Sequence, residues 1–251
     1  MKYGIKIWST NVELIEKCIQ YYNKKKFDYI ELSAIRGSFD PKTLQNLKEI
    51  PVVIHCDNKN VNFADKQYRN NNIQALQEAK KFADFFNSPC IIIHPGYNGS
   101  YKEINRTLKQ INDPRFCIEN MPGKTQDLKY YCLGRTFEEI KKINITNTCL
   151  DIQHAVKASA TLGINPYQNI KDLIKLSPSI FHLSDGNTDS EIDEHLNIGE
   201  GDIDFNKIFE IFPQKDIMMT LETPKTDLTT LKNDIKNINY IKKLKNKYGE
   251  R

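Results

Sequence analysis

The chain of 251 residues lacks the features of several common protein classes. No apolar stretch approaches the roughly 18 residues of a membrane-spanning helix. The first residues alternate like a strand and do not resemble a charged segment followed by the apolar block of a secretory signal. No low-complexity tract is present, and apolar residues make up 39% of the chain, which excludes disordered, collagen-like and coiled-coil proteins. The sequence predicts a globular protein in the cytoplasm, without a membrane or a protein partner.

The chain also lacks a strong excess of charge and a glycine-rich phosphate loop. Lys and Arg exceed Asp and Glu by 36 − 32 = 4. This small excess permits contact with phosphates but falls short of the basic patch of a dedicated nucleic-acid binder. No G-x-G-x-x-G segment follows an apolar run, which argues against a dinucleotide-binding fold.

Cysteine pairs with the spacing of zinc or redox motifs are absent. The six cysteines are scattered, and three of them lie in apolar, strand-like runs. We therefore predict buried free thiols at all six positions.

What the chain does contain is a regular alternation of strand-like and helix-like segments. The predicted strands are 3–8, 29–32, 51–55, 90–94, 116–119, 148–151, 180–183 and 217–222. The predicted helices are 11–25, 41–48, 70–87, 101–111, 135–144, 168–175, 204–211 and 226–247. Continuous apolar strands joined by helices are typical of parallel sheets buried on both faces. Eight such repeats in a chain close to roughly 250 residues predict an α/β fold, a (β/α)₈ TIM barrel, as one domain over residues 1–251.

The residues able to carry chemistry collect where the predicted strands end. The chain has only five histidines, and each lies at or just after the carboxyl end of a predicted strand: His55, His94, His154, His182 and His195. Four carboxylates occupy equivalent positions: Glu119, Asp151, Asp193 and Glu222. TIM-barrel active sites are built at this rim. The nine side chains are therefore the candidate site.

Nine such groups with no lysine or arginine among them would repel one another unless cations held them together. Imidazole with carboxylate is the ligand set of Zn²⁺ or Mn²⁺. We therefore predict divalent metal ions, Zn²⁺ first and Mn²⁺ or Mg²⁺ as alternatives. Asp193 and His195 would lie on one side of an extended loop and chelate one ion. Asp151 and His154 are three residues apart, which places them toward two different ions.

Six segments, taken together, resemble one enzyme family. They are IIIHPG (91–96), CIENMPG (117–123), CLDIQHA (149–155), FHLSD (181–185), DEHLNIGEG (193–201) and LETP (221–224). In this order, over residues 50–225, they resemble the motifs of the endonuclease IV family. That family is one branch of the xylose isomerase-like TIM barrels.

The resemblance implies up to three metal ions and a hydrolase. His55, His94 and Glu119 would hold the first ion. Glu119 would bridge to a second ion held by Asp151, His182 and Glu222. His154, Asp193 and His195 would hold the third. Enzymes of this family hydrolyse the phosphodiester on the 5′ side of an abasic site, so the implied activity is DNA repair and the implied partner is abasic-site DNA.

Two segments differ from the endonuclease IV motifs and resemble a sister branch of the same superfamily. YGIKIWS stands where the endonuclease IV family has its first motif, and Glu31 in YIELS is similar to an element of sugar isomerases and epimerases. In that alternative one ion is held by Glu119, Asp151, His182 and Glu222, and His55 and His94 contact a small sugar or sugar phosphate. The catalytic residues Glu119 and Glu222 would then transfer a proton.

The two hypotheses also differ in the role of the loops. Loops 34–40 and 56–66 would hold a duplex under the first hypothesis and a small molecule under the second. Arg36 is the one candidate in these loops for a side chain that enters DNA.

Overall fold

The structure, a computed structural model, describes residues 1–213, 217–225 and 227–248. In this part of the chain eight strands alternate with nine α-helices. The strands are β1 (Lys2–Trp8), β2 (Tyr29–Ala34), β3 (Val52–Cys56), β4 (Ile91–Ile93), β5 (Phe116–Glu119), β6 (Asn147–Asp151), β7 (Ile180–Leu183) and β8 (Met218–Leu221). The helices are α1 (Val12–Asn23), α2 (Pro41–Leu44), α3 (Arg69–Phe86), α4 (Tyr101–Ile111), α5 (Phe137–Ile140), α6 (Ile152–Leu162), α7 (Pro166–Ile174), α8 (Phe205–Ile211) and α9 (Lys232–Tyr248).

The strands form one closed parallel barrel in sequence order. Each strand pairs with the next, and β8 returns to pair with β1. The predicted (β/α)₈ TIM barrel is therefore confirmed. The prediction that residues 1–251 form one domain remains a proposal, and residues 214–216, 226 and 249–251 lie outside the described part.

Apolar side chains fill two regions of the barrel. The larger cluster includes outward residues such as Ile30 and Leu32 together with the apolar faces of the helices. A smaller cluster around Tyr29 contains Val53, Ile92 and Cys149 and fills the lumen. A Cβ atom on Gly4 would lie 2.3 Å from the Tyr29 ring, so β1 needs glycine where this ring closes the barrel. The candidate site lies next to this smaller cluster, toward the carboxyl ends of the strands.

Helix α6 is not among the helices that the sequence predicts. The Asp151 carboxylate accepts a hydrogen bond from the His154 amide at 2.7 Å and so caps the helix. Gly163, with φ +65°, ends it in the left-handed conformation. Residues 152–159 are all buried, so the segment has no polar face to give helical periodicity.

Other boundaries differ from the prediction at helix ends. The predicted helix 226–247 begins at Lys232, and position 226 lies outside the described residues. The predicted helix 135–144 is the single turn Phe137–Ile140, and 41–48 continues past α2 as a 3₁₀ segment. All six cysteines are buried and free, as predicted. In residues 1–213, 217–225 and 227–248, no helix is long and apolar enough to cross a membrane.

Candidate metal centre

All nine predicted site residues lie at the carboxyl end of the barrel. Six are at strand ends: His55 in β3, His94 after β4, Glu119 ending β5, Asp151 ending β6, His182 in β7 and Glu222 after β8. Three come from elements that follow: His154 from the first turn of α6, and Asp193 and His195 from the loop after β7. Parallel strands deliver their last residues to one rim, which brings together residues far apart in sequence.

The carboxylate of Glu119 is the centre of the cluster and is fully buried. Its Oε2 atom lies 3.3 Å from His55 Nε2 and 3.2 Å from His94 Nε2. Its Oε1 atom lies 3.2 Å from the Nδ1 atoms of His154 and His182. The two oxygens of Glu119 therefore face two different pairs of rings. The ligand atoms of His55, His94 and Glu119 all lie within 4.8 Å of one another.

His154, Asp193 and His195 form a second compact group. Asp193 Oδ2 lies 3.3 Å from His154 Nε2 and 3.0 Å from His195 Nε2. The predicted geometry of the loop was wrong, because the chain is not extended at His195, where φ is +50°. The left-handed turn there brings the ring back toward Asp193. The other carboxylate oxygen, Asp193 Oδ1, is buried and has no hydrogen-bond partner.

The remaining predicted ligands meet around His182. Its Nδ1 atom lies 2.8 Å from Glu222 Oε1 and 3.8 Å from Asp151 Oδ2. Asp151 Oδ2 is buried without a hydrogen bond. Asp151 also shares a group with His154 through Glu119, with ligand atoms within 4.8 Å. That Asp151 and His154 serve two different ions therefore stays a prediction.

Two charged residues of the site were missed by the sequence analysis, which used Glu31 only as a mark of the sister branch. Glu31 Oε2 lies 2.8 Å from His182 Nε2 and accepts a hydrogen bond from Thr220 Oγ1 at 2.8 Å. Lys6 Nζ lies 2.5 Å from Glu222 Oε1 and 3.2 Å from Glu31 Oε1. The sequence did contain a signal for both residues, because each is a charged residue within a predicted strand that is expected to be buried on both faces.

The orientation of the rings indicates whether cations fit this site. In four of the five histidines, one ring nitrogen faces an acceptor that is not a side chain of the nine predicted ligands. These acceptors are Cys56 O for His55 at 2.9 Å, Asn120 O for His154 at 2.9 Å, Glu31 for His182 at 2.8 Å, and Glu222 O for His195 at 3.0 Å. This acceptor requires an N–H, so in the neutral ring the other nitrogen presents a lone pair. That nitrogen faces Glu119 in His55 and Asp193 in His154 and His195. In His182 it faces Glu119 and Glu222. A lone pair that faces a carboxylate oxygen needs a cation between the two atoms. Metal-binding histidines are likewise oriented by a hydrogen bond from their other ring nitrogen. The residues therefore fit divalent cations such as Zn²⁺ or Mn²⁺.

Without metal, protons take the place of the cations. Burial alone would lower the pKa of His154, but Asp151 and Asp193 raise it well above its usual value. Burial also opposes the charge on His195, yet hydrogen bonding to Asp193 raises its pKa to about 9. Burial raises the pKa of Asp151 to about 6. The metal-free cluster therefore holds protons at neutral pH that a metal ion must displace.

These shifts give an expected pH dependence of stability. A histidine with a raised pKa stabilises the folded state below its unfolded pKa of about 6.5, and that contribution is lost as the pH rises through the folded value. The metal-free protein should therefore lose stability between about pH 6.5 and the pKa of His195, about 9. Zinc binds the deprotonated rings, so the rise in Tm caused by zinc should grow over the same interval. Thermal unfolding with and without buffered zinc checks this, and a zinc effect that shrinks with pH would contradict it.

A buried lysine supports the loop that carries Asp193 and His195. Lys157 in α6 is fully buried, and its Nζ lies 2.6 Å from Glu194 Oε2 and 2.7 Å from Asn187 O. Glu194 stands between the two predicted ligands. The lysine therefore fixes the loop to the barrel.

Lys157→Met should loosen this loop and lower the metal affinity of the group His154, Asp193 and His195 by about 10- to 100-fold. A competitive metal titration measures the change. Lys124→Met is the matched control, because Lys124 forms a 2.9 Å ion pair with Glu191 in the same loop but is partly exposed. Equal metal affinities in the two variants would show that Lys157 does not position the ligands.

Loops 34–40 and 56–66 are tied to each other beside the cluster. Arg36 Nε lies 2.9 Å from Asp57 Oδ2, and the guanidinium also donates to Lys59 O. Arg36 thus joins the loops and does not project as a side chain free to enter DNA. A cavity of about 310 Å³ is bounded by Lys6, Trp8, Ser33 and Asn58. A second cavity of about 240 Å³ lies beside His94, Tyr97 and Lys124.

Comparisons with known proteins agree with the barrel fold. Residues 12–244 match the family described as xylose isomerase-like TIM barrel. A probable endonuclease 4 of Metamycoplasma arthritidis is 27% identical over 224 residues, covering 78% of this chain and 79% of that protein. The crystal structure of a D-tagatose 3-epimerase-like protein superimposes with a TM-score of 0.78 at 22% identity, covering 100% of this chain and 99% of that one. The crystal structure of endonuclease IV from Thermus thermophilus gives 0.73 at 19% identity, covering 98% and 100%. At these identities the two structures establish the fold alone.

Proposed function

Because the chain belongs to the xylose isomerase-like TIM barrel family, we propose that it is a divalent-metal-dependent phosphodiester hydrolase of the endonuclease IV type. Its proposed substrate is DNA with an abasic site. Zn²⁺ is the proposed metal, with Mn²⁺ or Mg²⁺ as alternatives. The proposal includes a cytoplasmic location, since six buried free thiols suit a reducing compartment.

The observation that carries the proposal is the group His154, Asp193 and His195. Both Nε2 atoms face Asp193 Oδ2, at 3.3 and 3.0 Å, while Asp193 Oδ1 is buried without a partner. A site for one ion at Glu119, Asp151, His182 and Glu222 would have no use for this second compact set. A phosphodiester carries charge on several oxygens, and more than one ion can neutralise them.

Each residue has a defined task under this proposal. His55, His94 and Glu119 would hold one ion, and Glu119 with Asp151, His182 and Glu222 a second. His154, Asp193 and His195 would hold a third. When bound, the cations supply Lewis acidity and charge neutralisation at the phosphate. The chain orients the rings through Cys56 O, Asn120 O and Glu31 and excludes water from Glu119 by complete burial.

A second candidate function is a sugar or sugar-phosphate isomerase or epimerase. The observation that favours it is Glu31, which is fully buried and hydrogen-bonded to His182 and Thr220. Its ion-pair partner Lys6 lines a cavity of about 310 Å³, which suits a small molecule. In this case Glu119 and Glu222 would transfer the proton. The single ion of this candidate would not need His154, Asp193 and His195 as ligands.

Incision of a duplex oligonucleotide with one synthetic abasic site tests the proposal. Purified protein is assayed with Zn²⁺ or Mn²⁺, with EDTA, and on the same duplex without the lesion. The expected result is metal-dependent cleavage on the 5′ side of the lesion only. No cleavage by folded, metal-loaded protein, together with turnover of a sugar or sugar phosphate, would overturn the proposal in favour of the isomerase.

A further inference from the structure

Lys6 is a cation placed inside a cluster of predicted metal ligands. It lies on β1, and its Nζ lies 2.5 Å from Glu222 Oε1 and 3.2 Å from Glu31 Oε1. Among the described residues it is the one lysine or arginine that forms an ion pair with any of the nine predicted ligands. Its side chain is 15% exposed. A buried charge is costly unless it is paired, so its presence in the site needs an explanation.

Lys6 is not needed to balance the charge of the ligands. The nine ligands include four carboxylates, and Glu31 adds a fifth that lies against His182 and Lys6. Lys6 and Glu31 therefore enter the site as a pair of opposite charges. The net charge available to metal ions is the same with both as with neither. If Lys6 has a function in the site, that function must then depend on where its positive charge lies.

That position is the wall of the cavity of about 310 Å³ beside the ligands. An ammonium group has three donors. Glu222 accepts one of them, while Glu31 Oε1 forms an ion pair with Lys6 at 3.2 Å but no hydrogen bond. A further donor of Lys6 is therefore available to a molecule in the cavity that Lys6 lines. Trp8 provides a flat apolar wall, while Ser33 and Asn58 provide polar groups. Such a cavity suits a sugar ring with an anionic substituent.

We propose that Lys6 is a substrate-binding residue that donates a hydrogen bond to a phosphate oxygen, and that the cavity beside it binds a phosphorylated pentose. The inference rests on the proposed function, because it names the part of the substrate that this site recognises. The same chemistry occurs in an abasic nucleotide of DNA and in a free sugar phosphate. The experiment therefore contains an arm for each source.

Trp8 makes binding measurable without activity. It is the single tryptophan of the chain, and it lines the cavity together with Lys6. Metal-loaded protein is titrated with ribose 5-phosphate, ribose and inorganic phosphate while the tryptophan fluorescence is recorded. Incision of the abasic duplex is measured in parallel. Metal content is determined for every variant.

Lys6→Gln should weaken binding of ribose 5-phosphate by about 10- to 100-fold, as expected for loss of a hydrogen bond to a charged group. It should change the affinity for ribose less than about threefold, because ribose carries no phosphate. Lys6→Arg should restore much of the phosphate preference because it keeps the charge. Lys80→Gln is the matched control, since Lys80 forms a 2.9 Å ion pair with Asp113 away from the cavity.

The outcomes separate this inference from the proposed function. Equal affinity of wild type and Lys6→Gln for ribose 5-phosphate, at equal metal content, would overturn the role of Lys6 even if DNA is cleaved. Absence of ribose 5-phosphate binding to the wild type would overturn it as well. Lys6-dependent binding of ribose 5-phosphate without DNA cleavage would support the role of Lys6. The ligand would then be a free sugar phosphate, and the hydrolase proposal would fail. Lys6-dependent binding with cleavage supports both.

Discussion

Glu119→Gln is expected to remove bound metal and to lower metal-dependent activity by at least about a hundredfold. The reason is that both oxygens of Glu119 face pairs of histidines at 3.2 to 3.3 Å. Glutamine keeps the size of the side chain, but it loses the negative charge and replaces one acceptor oxygen by a donor. Metal content by elemental analysis and the rate of abasic-site incision measure the two effects.

Glu103→Gln is the control for this variant. Glu103 also forms an ion pair, with Arg69 at 2.7 Å, but it lies on α4 away from the cluster. It should retain metal and activity, while circular dichroism should show both variants folded. Full metal content in Glu119→Gln would mean that Glu119 does not bridge the ions. That result would count against the hydrolase and the isomerase alike.

His195→Ala is expected to distinguish the two candidate functions. If His154, Asp193 and His195 hold a third ion, the variant should lose about one metal ion per chain and at least about a hundredfold in the rate of incision. The reason is that Asp193 Oδ2 would lose its 3.0 Å neighbour, His195 Nε2. An isomerase with one ion at His182 would keep its metal, because His195 lines the cavity but is not a ligand of that ion.

The control for His195→Ala is the sugar and sugar-phosphate assay on the same preparation. Loss of incision with unchanged metal content would point to His195 as a substrate contact and would contradict the three-ion arrangement. Retention of both metal and incision would remove the observation on which the hydrolase proposal depends. In each case the remaining eight ligands are unchanged, so the effect belongs to one ring.

The sequence predicts the barrel well because its strands are continuous apolar runs. All eight strands form at or within two residues of the predicted positions, and their order follows from parallel pairing. Helix α6 could not be predicted in the same way, since residues 152–159 are buried on every side and show no amphipathic pattern. Its capping residue, Asp151, is also a predicted ligand, so the sequence contains no separate signal for the start of the helix.

The candidate site was predictable where the residue types are rare. Histidine is rare in this chain, so five histidines at or just after strand ends are conspicuous, and all five lie in the cluster. Lys6 was not predictable from its type, because lysine is abundant in this sequence and is usually exposed on surfaces. Its position becomes informative only when β1 is known to pair with both β2 and β8. The left-handed turn at His195 was equally hidden, because it depends on contacts outside the loop.

Closure of the barrel has a consequence for how the protein matures during synthesis. Lys6 and Glu222 are 216 residues apart and meet only when β8 pairs with β1. Until a ribosome has released the eighth strand, β1 and β7 remain open sheet edges, which are prone to pair with other chains. Ligands such as His55 and His94 emerge early, but the complete set with Glu222 does not exist before this last pairing. Under the proposed function, loading with the full set of ions would therefore follow the pairing of β8 with β1.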